Sequence, residues 1–348
     1  MEAYYRKHIL DFKRPSGTSR GVLRQKATWF IIIEDNGQIG IGECGLLAGL
    51  SIDDRPDYES KLQWACDHIT LGFDQLWDDL IAYPSIQFGL EQAFKSLSQA
   101  QPFELYPSEF TRGEKGIPIN GLIWMGDEDF MKSQIKTKID QGFACIKMKI
   151  GAIDFDTEIK LLTAIRKEFS ASDIELRVDA NGAFTLENAM SKLKQLAELD
   201  IHSIEQPIKQ GQWEAMAELC RKTPLPIALD EELIGIFEAQ EKKKLIQAIR
   251  PQYLIFKPSL IGGFKGVKQW ITHCNEASID WWVTSALESN IGLNAIAQWT
   301  FTLNNPLPQG LGTGSLYANN ISSPLQVIGQ ELYYASNSKW DLEYLKLK

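Results

Sequence analysis

The chain has 348 residues, of which 44% are hydrophobic and 23% charged, which suits a globular protein with more than one structural unit. Its net charge of −9 excludes a general nucleic-acid or anionic-membrane surface. Five scattered cysteines without a CxxC pair, and no apolar run near the ~20 residues of a membrane helix, favour a cytoplasmic protein with reduced thiols.

The first third of the chain predicts an α+β module. Residues 27–33 are β-branched and aromatic, Asn36-Gly37 is a type I′ turn signal, and residues 38–42 form the returning strand. The polar segment 14–20 precedes this hairpin, and we expect it to be a mobile loop that closes over a substrate. Two further segments predict helices: 57–71 and 85–100.

From about Ile117, short apolar strands alternate with amphipathic stretches, a pattern typical of α/β folds and of the (β/α) barrel in particular. We expect this barrel over residues 113–317 and a capping domain over residues 1–112, joined by the C-terminal tail 318–348. Eight barrel strands are predicted, at residues 118–123, 144–150, 175–178, 203–205, 227–229, 253–256, 281–284 and 307–311.

Three acidic residues end successive predicted strands at a nearly constant interval. Glu205 follows Asp179 by 26 residues, and Asp230 follows Glu205 by 25, close to the ~30 residues of one barrel unit. The three carboxylates should therefore lie together at the carboxyl ends of the strands. A ligand set of carboxylates without His or Cys suits Mg²⁺, or Mn²⁺, and disfavours zinc.

Two lysines continue the same spacing, Lys149 30 residues before Asp179 and Lys257 27 residues after Asp230. Lys147 and Lys149 lie on the predicted second strand, two residues apart, so both side chains point to the same side. Lys257 ends the sixth strand, which lies opposite the second strand in an eight-stranded ring. We expect burial and like charge to lower at least one lysine pKa, so that the amine can act as a general base. The alternative is that the lysines pair structurally with the acids.

Opposed lysines around a divalent cation suit the removal of a proton next to a carboxylate. The cation would bind both carboxylate oxygens of a small-molecule substrate and stabilise the enolate that forms. One lysine would remove the proton, and the other would face the opposite side of the intermediate.

Five motifs resemble, in order, the active-site motifs of the enolase superfamily, in its muconate-lactonizing-enzyme subgroup. They are IKMKIG, RVDANGAF, SIEQP, IALDEE and IFKPSLIGG. The resemblance extends from about Ile117 to Gly314, and the preceding module is similar to the capping domain of that family. It implies a modified TIM barrel of the enolase type.

The resemblance also implies a role for each residue of these motifs. Lys149 would be the catalytic acid and base, with Lys257 as its partner and Lys147 adjusting it and contacting the substrate carboxylate. The implied Mg²⁺ ligands are Asp179, Glu205 and Asp230, and the groups that support them are Asn181 and Glu231.

The residues of the predicted eighth strand narrow the range of possible substrates. Dipeptide epimerases of this subgroup carry Asp-x-Asp where this chain has Gly312-Thr313-Gly314, and mandelate-racemase-like members carry a His–Asp pair that is absent here. The stretch QGLGTGSLYANNISSPLQV resembles that of the o-succinylbenzoate synthases, lyases that dehydrate a cyclohexadiene carboxylate in menaquinone synthesis. The candidate substrate contacts are Ser285, Ser289, Gly312, Thr313 and Arg20, with strand-end and helix-capping duty as the alternative for the two serines.

The same residues are also compatible with other functions. Both lysines could transfer protons, as in an N-acylamino-acid racemase, and a muconate cycloisomerase uses the same residue types. A different class of function is a non-catalytic metal-binding barrel with structural lysines.

Overall fold

The computed structural model describes residues 1–18 and 21–342. The chain opens with an antiparallel three-stranded sheet of β1 (Glu2–Thr18), β2 (Gly21–Asp35) and β3 (Gln38–Cys44), paired in that order. Asn36 and Gly37 both have positive φ, 51° and 78°, as a type I′ turn requires. The predicted hairpin is confirmed.

The segment 14–20 was predicted to be a mobile loop, but its described part belongs to a strand. Residues 14–18 continue strand β1, with a register irregularity between Asp11 and Ser16. The Pro, Ser and Gly residues of this segment marked a break in regular pairing, and the chain accommodates that break inside a long hairpin strand. Arg20, predicted to contact substrate, lies outside the described residues.

Three helices cover one face of this sheet: α1 (Tyr58–Asp67), α2 (Phe73–Asp79) and α3 (Pro84–Leu97). The second of them was not predicted. Helix α3 packs directly on β3, where a Cβ at Gly40 would lie 2.2 Å from the Ala93 carbonyl oxygen and one at Gly42 only 2.0 Å from that of Gly89. These two glycines are therefore required for the close approach of helix and strand.

The remainder alternates strands and helices around a curled parallel sheet. Its seven strands run in the order β11–β10–β9–β8–β7–β6–β5, each following its neighbour along the chain. The elements are β4 (Ile117–Pro118), β5 (Gly121–Ile123), α4 (Glu128–Asp140), β6 (Cys145–Lys149), α5 (Phe155–Glu168), β7 (Glu175–Asp179), α6 (Leu186–Ala197), β8 (Ser203–Glu205), α7 (Trp213–Lys222), β9 (Ile227–Leu229), α8 (Ala239–Ile249), β10 (Tyr253–Phe256), α9 (Gly263–Ala277), β11 (Asp280–Val283) and α10 (Asn290–Thr302).

The predicted eighth strand is not a regular strand. Residues 307–311 close the ring through two isolated parallel bridges, Ile119 to Gln309 and Thr284 to Gly310. A Cβ at Gly310 would lie 2.1 Å from Thr284 Oγ1, so the closure depends on a bare backbone. The barrel is thus completed by a glycine-rich segment whose pairing is too sparse to count as a strand.

The tail contacts both parts of the chain. A hairpin of β12 (Leu325–Ile328) and β13 (Glu331–Tyr334) pairs with β4. The Trp340 ring stacks on Phe103, and Asn319 hydrogen-bonds the backbone of Asp11 and Ile9. The domain boundaries at residues 112 and 317 stay predictions. Within the described ranges, no helix is long and apolar enough to cross a membrane.

Glu91 joins the N-terminal module to the barrel. From α3, its carboxylate accepts hydrogen bonds from the backbone N–H groups of Phe264 (2.6 Å) and Lys265 (3.1 Å) in the first turn of α9. Burial raises the pKa of Glu91 to about 7, although these two N–H groups oppose the rise. Folding therefore favours the protonated carboxyl.

This shift predicts a pH-dependent stability. The contribution of protonated Glu91 is complete below its ordinary pKa near 4.5 and is lost as pH rises through 7. Relative to the wild type, Glu91→Gln should gain about 2 °C or more in Tm between pH 4.5 and 8. Calorimetry across that range checks this, with Glu241→Gln, exposed on α8, as the control. A wild-type-minus-variant difference that stays constant with pH would contradict it.

Candidate active site

The parallel register places the predicted charged residues at one end of the barrel. Lys149 on β6 is paired with Asp179 on β7, and Asp179 with Glu205 on β8, so three charges stand in one row across three strands. Asp230 directly follows β9, and Lys257 directly follows β10. All five lie at carboxyl ends of strands, as the spacing predicted.

Lysine ammonium groups bridge the three carboxylates. Lys147 Nζ donates to Glu205 Oε2 at 2.5 Å and to Asp179 Oδ2 at 3.1 Å, and Lys149 Nζ donates to the same Asp179 oxygen at 2.8 Å. Lys257 Nζ is bonded to Asp230 and lies 3.7 Å from Glu205 Oε1. The carboxylates are 1–3% exposed, so these contacts replace their lost hydration.

The carboxylates around Lys147 and Lys257 shift the pKa of these lysines in the direction opposite to the predicted one. Burial disfavours the ammonium forms, yet the charges of Asp179 and Glu205 raise the pKa of Lys147, and those of Asp230 and Glu205 raise the pKa of Lys257. Likewise, Lys147 and Lys149 hold the pKa of Asp179 below its usual range against the effect of burial. The predicted lowering of a lysine pKa considered the neighbouring lysine and omitted the acids across the sheet.

The donor set fits a hard divalent cation, although the side chains do not already converge on one. Across residues 1–18 and 21–342 no group of three acidic, His or Cys side chains stands ready to hold a metal ion, and lysines bridge the predicted ligands instead. Glu205 Oε1 is nonetheless buried and accepts no hydrogen bond from a described group. Buried carboxylate oxygens with spare acceptor capacity are the ligands that Mg²⁺ takes.

Asn181 connects Lys149 to the acids after β9. Its Oδ1 accepts from Lys149 Nζ at 2.8 Å and its Nδ2 donates to Glu231 Oε1 at 2.9 Å. The residue has a φ of 43°, in the left-handed region that asparagine tolerates better than most side chains. Asn181 and Glu231 thus lie next to the charged cluster, where the resemblance implied supporting groups.

Gln206 is a site residue that sequence reasoning missed. Its Oε1 accepts from the N–H groups of Asp230 and Glu232, both at 3.3 Å, and its Nε2 donates to Glu232 Oε2 at 3.1 Å. These bonds fix the turn that carries Asp230 beside Glu205. The sequence signal for Gln206 was its position: a polar side chain that directly follows Glu205 in the SIEQP motif.

A cavity of about 960 Å³ opens at this end of the barrel, which is the size range of small-molecule sites. Three lysines, 147, 149 and 257, line it, and so do Asp179 and Asn181. On another part of the wall, the hydroxyl groups of Ser285 and Thr313 share a 2.6 Å hydrogen bond beside Gly312. The cavity therefore brings the charged cluster together with three of the predicted substrate contacts.

Ser289 has a different environment. It does not line the cavity, and its hydroxyl is bonded to Glu43 of the N-terminal module and accepts from Ile291 N–H at 3.2 Å. Its burial is complete. These contacts are those of the N-cap residue of α10, the alternative role for this serine, and not those of a substrate contact.

Comparison with known proteins identifies the family. Residues 131–332 match the model of the family described as enolase C-terminal domain-like. The chain belongs to the enolase superfamily. It is 46% identical to an o-succinylbenzoate synthase from Desulfotalea psychrophila, over 94% of this chain and 98% of that protein.

Two further relatives are similar to this chain. The crystal structure of MenC from Desulfotalea psychrophila LSv54 superposes on the present structure with a TM-score of 0.85 and 43% sequence identity, covering 96% of this chain and 99% of that one. An N-succinylamino acid racemase from an Amycolatopsis species is 30% identical over 56% of this chain and 51% of its own length. The predicted fold, superfamily and capping module are confirmed.

The donor set predicts a measurable metal response. Mg²⁺ should raise the Tm of the wild type, because an ion that binds only the folded state adds RT ln(1 + [L]/Kd) to stability. Replacement of one carboxylate, in Asp179→Asn, Glu205→Gln or Asp230→Asn, should remove most of the Mg²⁺-dependent increase. The increase, and not Tm itself, is compared, because each variant also unpairs a lysine. Asp140→Asn, exposed on α4, is the control; an increase retained in all three variants would contradict the ligand assignment.

Proposed function

We propose that the protein is an o-succinylbenzoate synthase, a lyase that dehydrates 2-succinyl-6-hydroxy-2,4-cyclohexadiene-1-carboxylate to 2-succinylbenzoate in menaquinone synthesis. The observation that carries the chemistry is the placement of Lys149 at the end of β6 and Lys257 directly after β10, on strands four positions apart around the ring and on one cavity. The near full-length relative named o-succinylbenzoate synthase supports the choice of reaction.

Asp179, Glu205 and Asp230 would hold Mg²⁺, or Mn²⁺, at the carboxyl ends of their strands. When bound, the ion stabilises the negative charge that develops on a substrate carboxylate as the α-proton leaves.

In the proposed mechanism Lys149 acts twice on one face of the substrate. Its uncharged Nζ accepts the α-proton, and the electron pair of that C–H bond passes into the conjugated carboxylate. The same Nζ then donates the proton to the departing β-hydroxyl, the C–O bond breaks, and water leaves as the ring becomes aromatic. Asn181, within 2.8 Å of Nζ, orients the amine throughout.

Lys257 would remain charged on the opposite face and stabilise the intermediate electrostatically. Lys147, held between Asp179 and Glu205, would contact the substrate carboxylate. Ser285 and Thr313 would donate to the succinyl group from the wall that they share with Gly312. The five cysteines are all free and buried, which supports a reducing compartment such as the cytoplasm.

The lysine roles predict specific losses of activity. With Mg²⁺ and the cyclohexadiene substrate, Lys149→Ala and Lys149→Arg should each lower kcat by about 10³-fold or more, because the base is absent or cannot lose its proton. Lys257→Ala should lower kcat by a comparable factor through loss of charge stabilisation. Product is quantified by chromatography.

Lys136→Ala, an exposed change on α4, provides the control and should retain wild-type kinetics. Full dehydration by Lys149→Ala would contradict the acid–base assignment. No Mg²⁺-dependent turnover by the wild type would instead favour the non-catalytic metal-binding barrel.

A racemase activity toward N-succinylamino acids is a second candidate, because both lysines line the cavity from opposite sides and the Amycolatopsis relative is named for that reaction. In D₂O, a racemase should exchange the α-proton of both enantiomers, and Lys149→Ala and Lys257→Ala should each abolish exchange of one. NMR follows the α-proton signal; no exchange from either enantiomer would exclude this activity.

A further inference from the structure

Three buried charged residues lie near one another where the N-terminal sheet contacts the barrel, and the proposed chemistry uses none of them. Lys26 on β2 is 4% exposed, and Glu43 on β3 and Glu288 after β11 are fully buried. Two of them come from the N-terminal module and one from the barrel. We refer to Lys26, Glu43 and Glu288 as the interface triad.

Glu43 holds the start of helix α10. Its carboxylate accepts from the backbone N–H groups of Ser289 and Gly292, both at 2.8 Å, and from the Ser289 hydroxyl. Thr28, one strand away, also donates to it at 2.7 Å. A charge from the N-terminal sheet therefore stabilises the first turn of a barrel helix, where the free N–H groups and the helix dipole favour an anion.

Glu288 joins two segments that carry site residues. Its Oε2 accepts from Ala286 N–H at 2.7 Å, and its Oε1 accepts from Ser259 Oγ at 2.5 Å. Ser259 follows Lys257 by two residues, and Ala286 directly follows Ser285. One carboxylate thus ties the cavity wall after β11 to the segment after β10.

Lys26 is the cation of this group. Its Nζ is buried and donates no hydrogen bond to any group in the described part of the chain. Burial lowers its pKa, and the charges of Glu43 and Glu288 oppose that shift. Removing such a cation leaves two buried carboxylates without an opposing charge, which is more costly than removing a balanced pair.

The turn between Ser285 and Ser289 needs support from its surroundings. Leu287 lines the cavity with a φ of 63°, a conformation that a branched side chain keeps only when neighbouring groups hold it. Its carbonyl oxygen accepts from Tyr317 Oη at 2.6 Å. The N-terminal module also packs closely against this turn, since a Cβ at Gly45 would lie 2.9 Å from Glu288 Cγ.

We propose that Lys26, with Glu43 and Glu288, is a positioning residue. Through these three residues, the position of the N-terminal sheet on the barrel determines the conformation of the 285–289 turn. That turn positions the part of the cavity wall that contains Ser285. The kinetic part of this inference rests on the proposed function. The groups contact neither substrate nor reacting atoms and act through the turn.

The test is a charge-balance cycle of Lys26→Met, Glu288→Gln and the double variant. Lys26→Met should lower kcat/KM by tenfold or more at a temperature where it remains folded, while the Mg²⁺-dependent rise in Tm is unchanged. The double variant restores the original net charge of the triad and should recover kcat/KM to within about threefold of the wild type. A double variant as poor as, or poorer than, Lys26→Met would overturn the proposal.

The exposed pair Lys7 and Glu59 on the same module, 2.7 Å apart, gives the matched control. Lys7→Met and Lys7→Met/Glu59→Gln should leave kcat/KM unchanged. If Lys26→Met does not fold, a double variant that folds and turns over still supports the charge-balance role, and one that also fails to fold overturns it.

A second readout separates this inference from the proposed function. The amides of Ala286, Ser289 and Gly292 donate to the triad, so Lys26→Met should speed their hydrogen exchange and the double variant should restore slow exchange. This measurement needs no turnover. Wild-type inactivity would refute the proposed function alone, whereas unchanged exchange in Lys26→Met would refute the positioning role alone.

Discussion

Mutual neutralisation of buried lysines and carboxylates is the interaction on which the candidate site depends. Asp179, Glu205 and Asp230 are almost completely removed from water, and an isolated buried carboxylate would be protonated or hydrated instead. Lys147 and Lys257 each reach two of these acids, and the opposite charges favour the ammonium forms of both lysines and the ionised form of Asp179. The parallel register of β6 to β10 makes this possible, since it places all the groups at the same end of the barrel.

This near-neutrality has a consequence for ligand binding. Three lysines stand against four carboxylates, those of Asp179, Glu205, Asp230 and Glu231, so a dication entering alone would leave an excess of positive charge. On the proposed function the substrate is a dianion, with one carboxylate on the ring and one on the succinyl chain. Cation and substrate together restore the balance, which favours their joint binding over that of either alone.

The sequence predicted the charged row because barrel repeats have a nearly fixed length, so spacing alone reports which residues end adjacent strands. For Lys147 the predicted lowering of the pKa is wrong, because the prediction weighed burial and the neighbouring Lys149 and gave no weight to Asp179 and Glu205, which contact Lys147 across the sheet. The eighth strand was predicted as a regular strand, whereas the structure has only isolated bridges there, for a related reason: Gly310 lies directly against Thr284, and that close approach has no local sequence signature. Lys26, Glu43 and Glu288 come from distant parts of the chain, and only folding brings them together.

The N-terminal module supplies carboxylates to two successive barrel helices. Glu91 from α3 accepts the first N–H groups of α9, and Glu43 from β3 accepts those of α10. These are the helices that follow Lys257 and Ser285, and both bonds form only when the two parts of the chain are packed together. The wall of the cavity on this side is therefore not a property of the barrel alone. Any displacement of the N-terminal sheet would release the starts of both helices, and with them the segments that carry one proposed catalytic lysine and one proposed substrate contact.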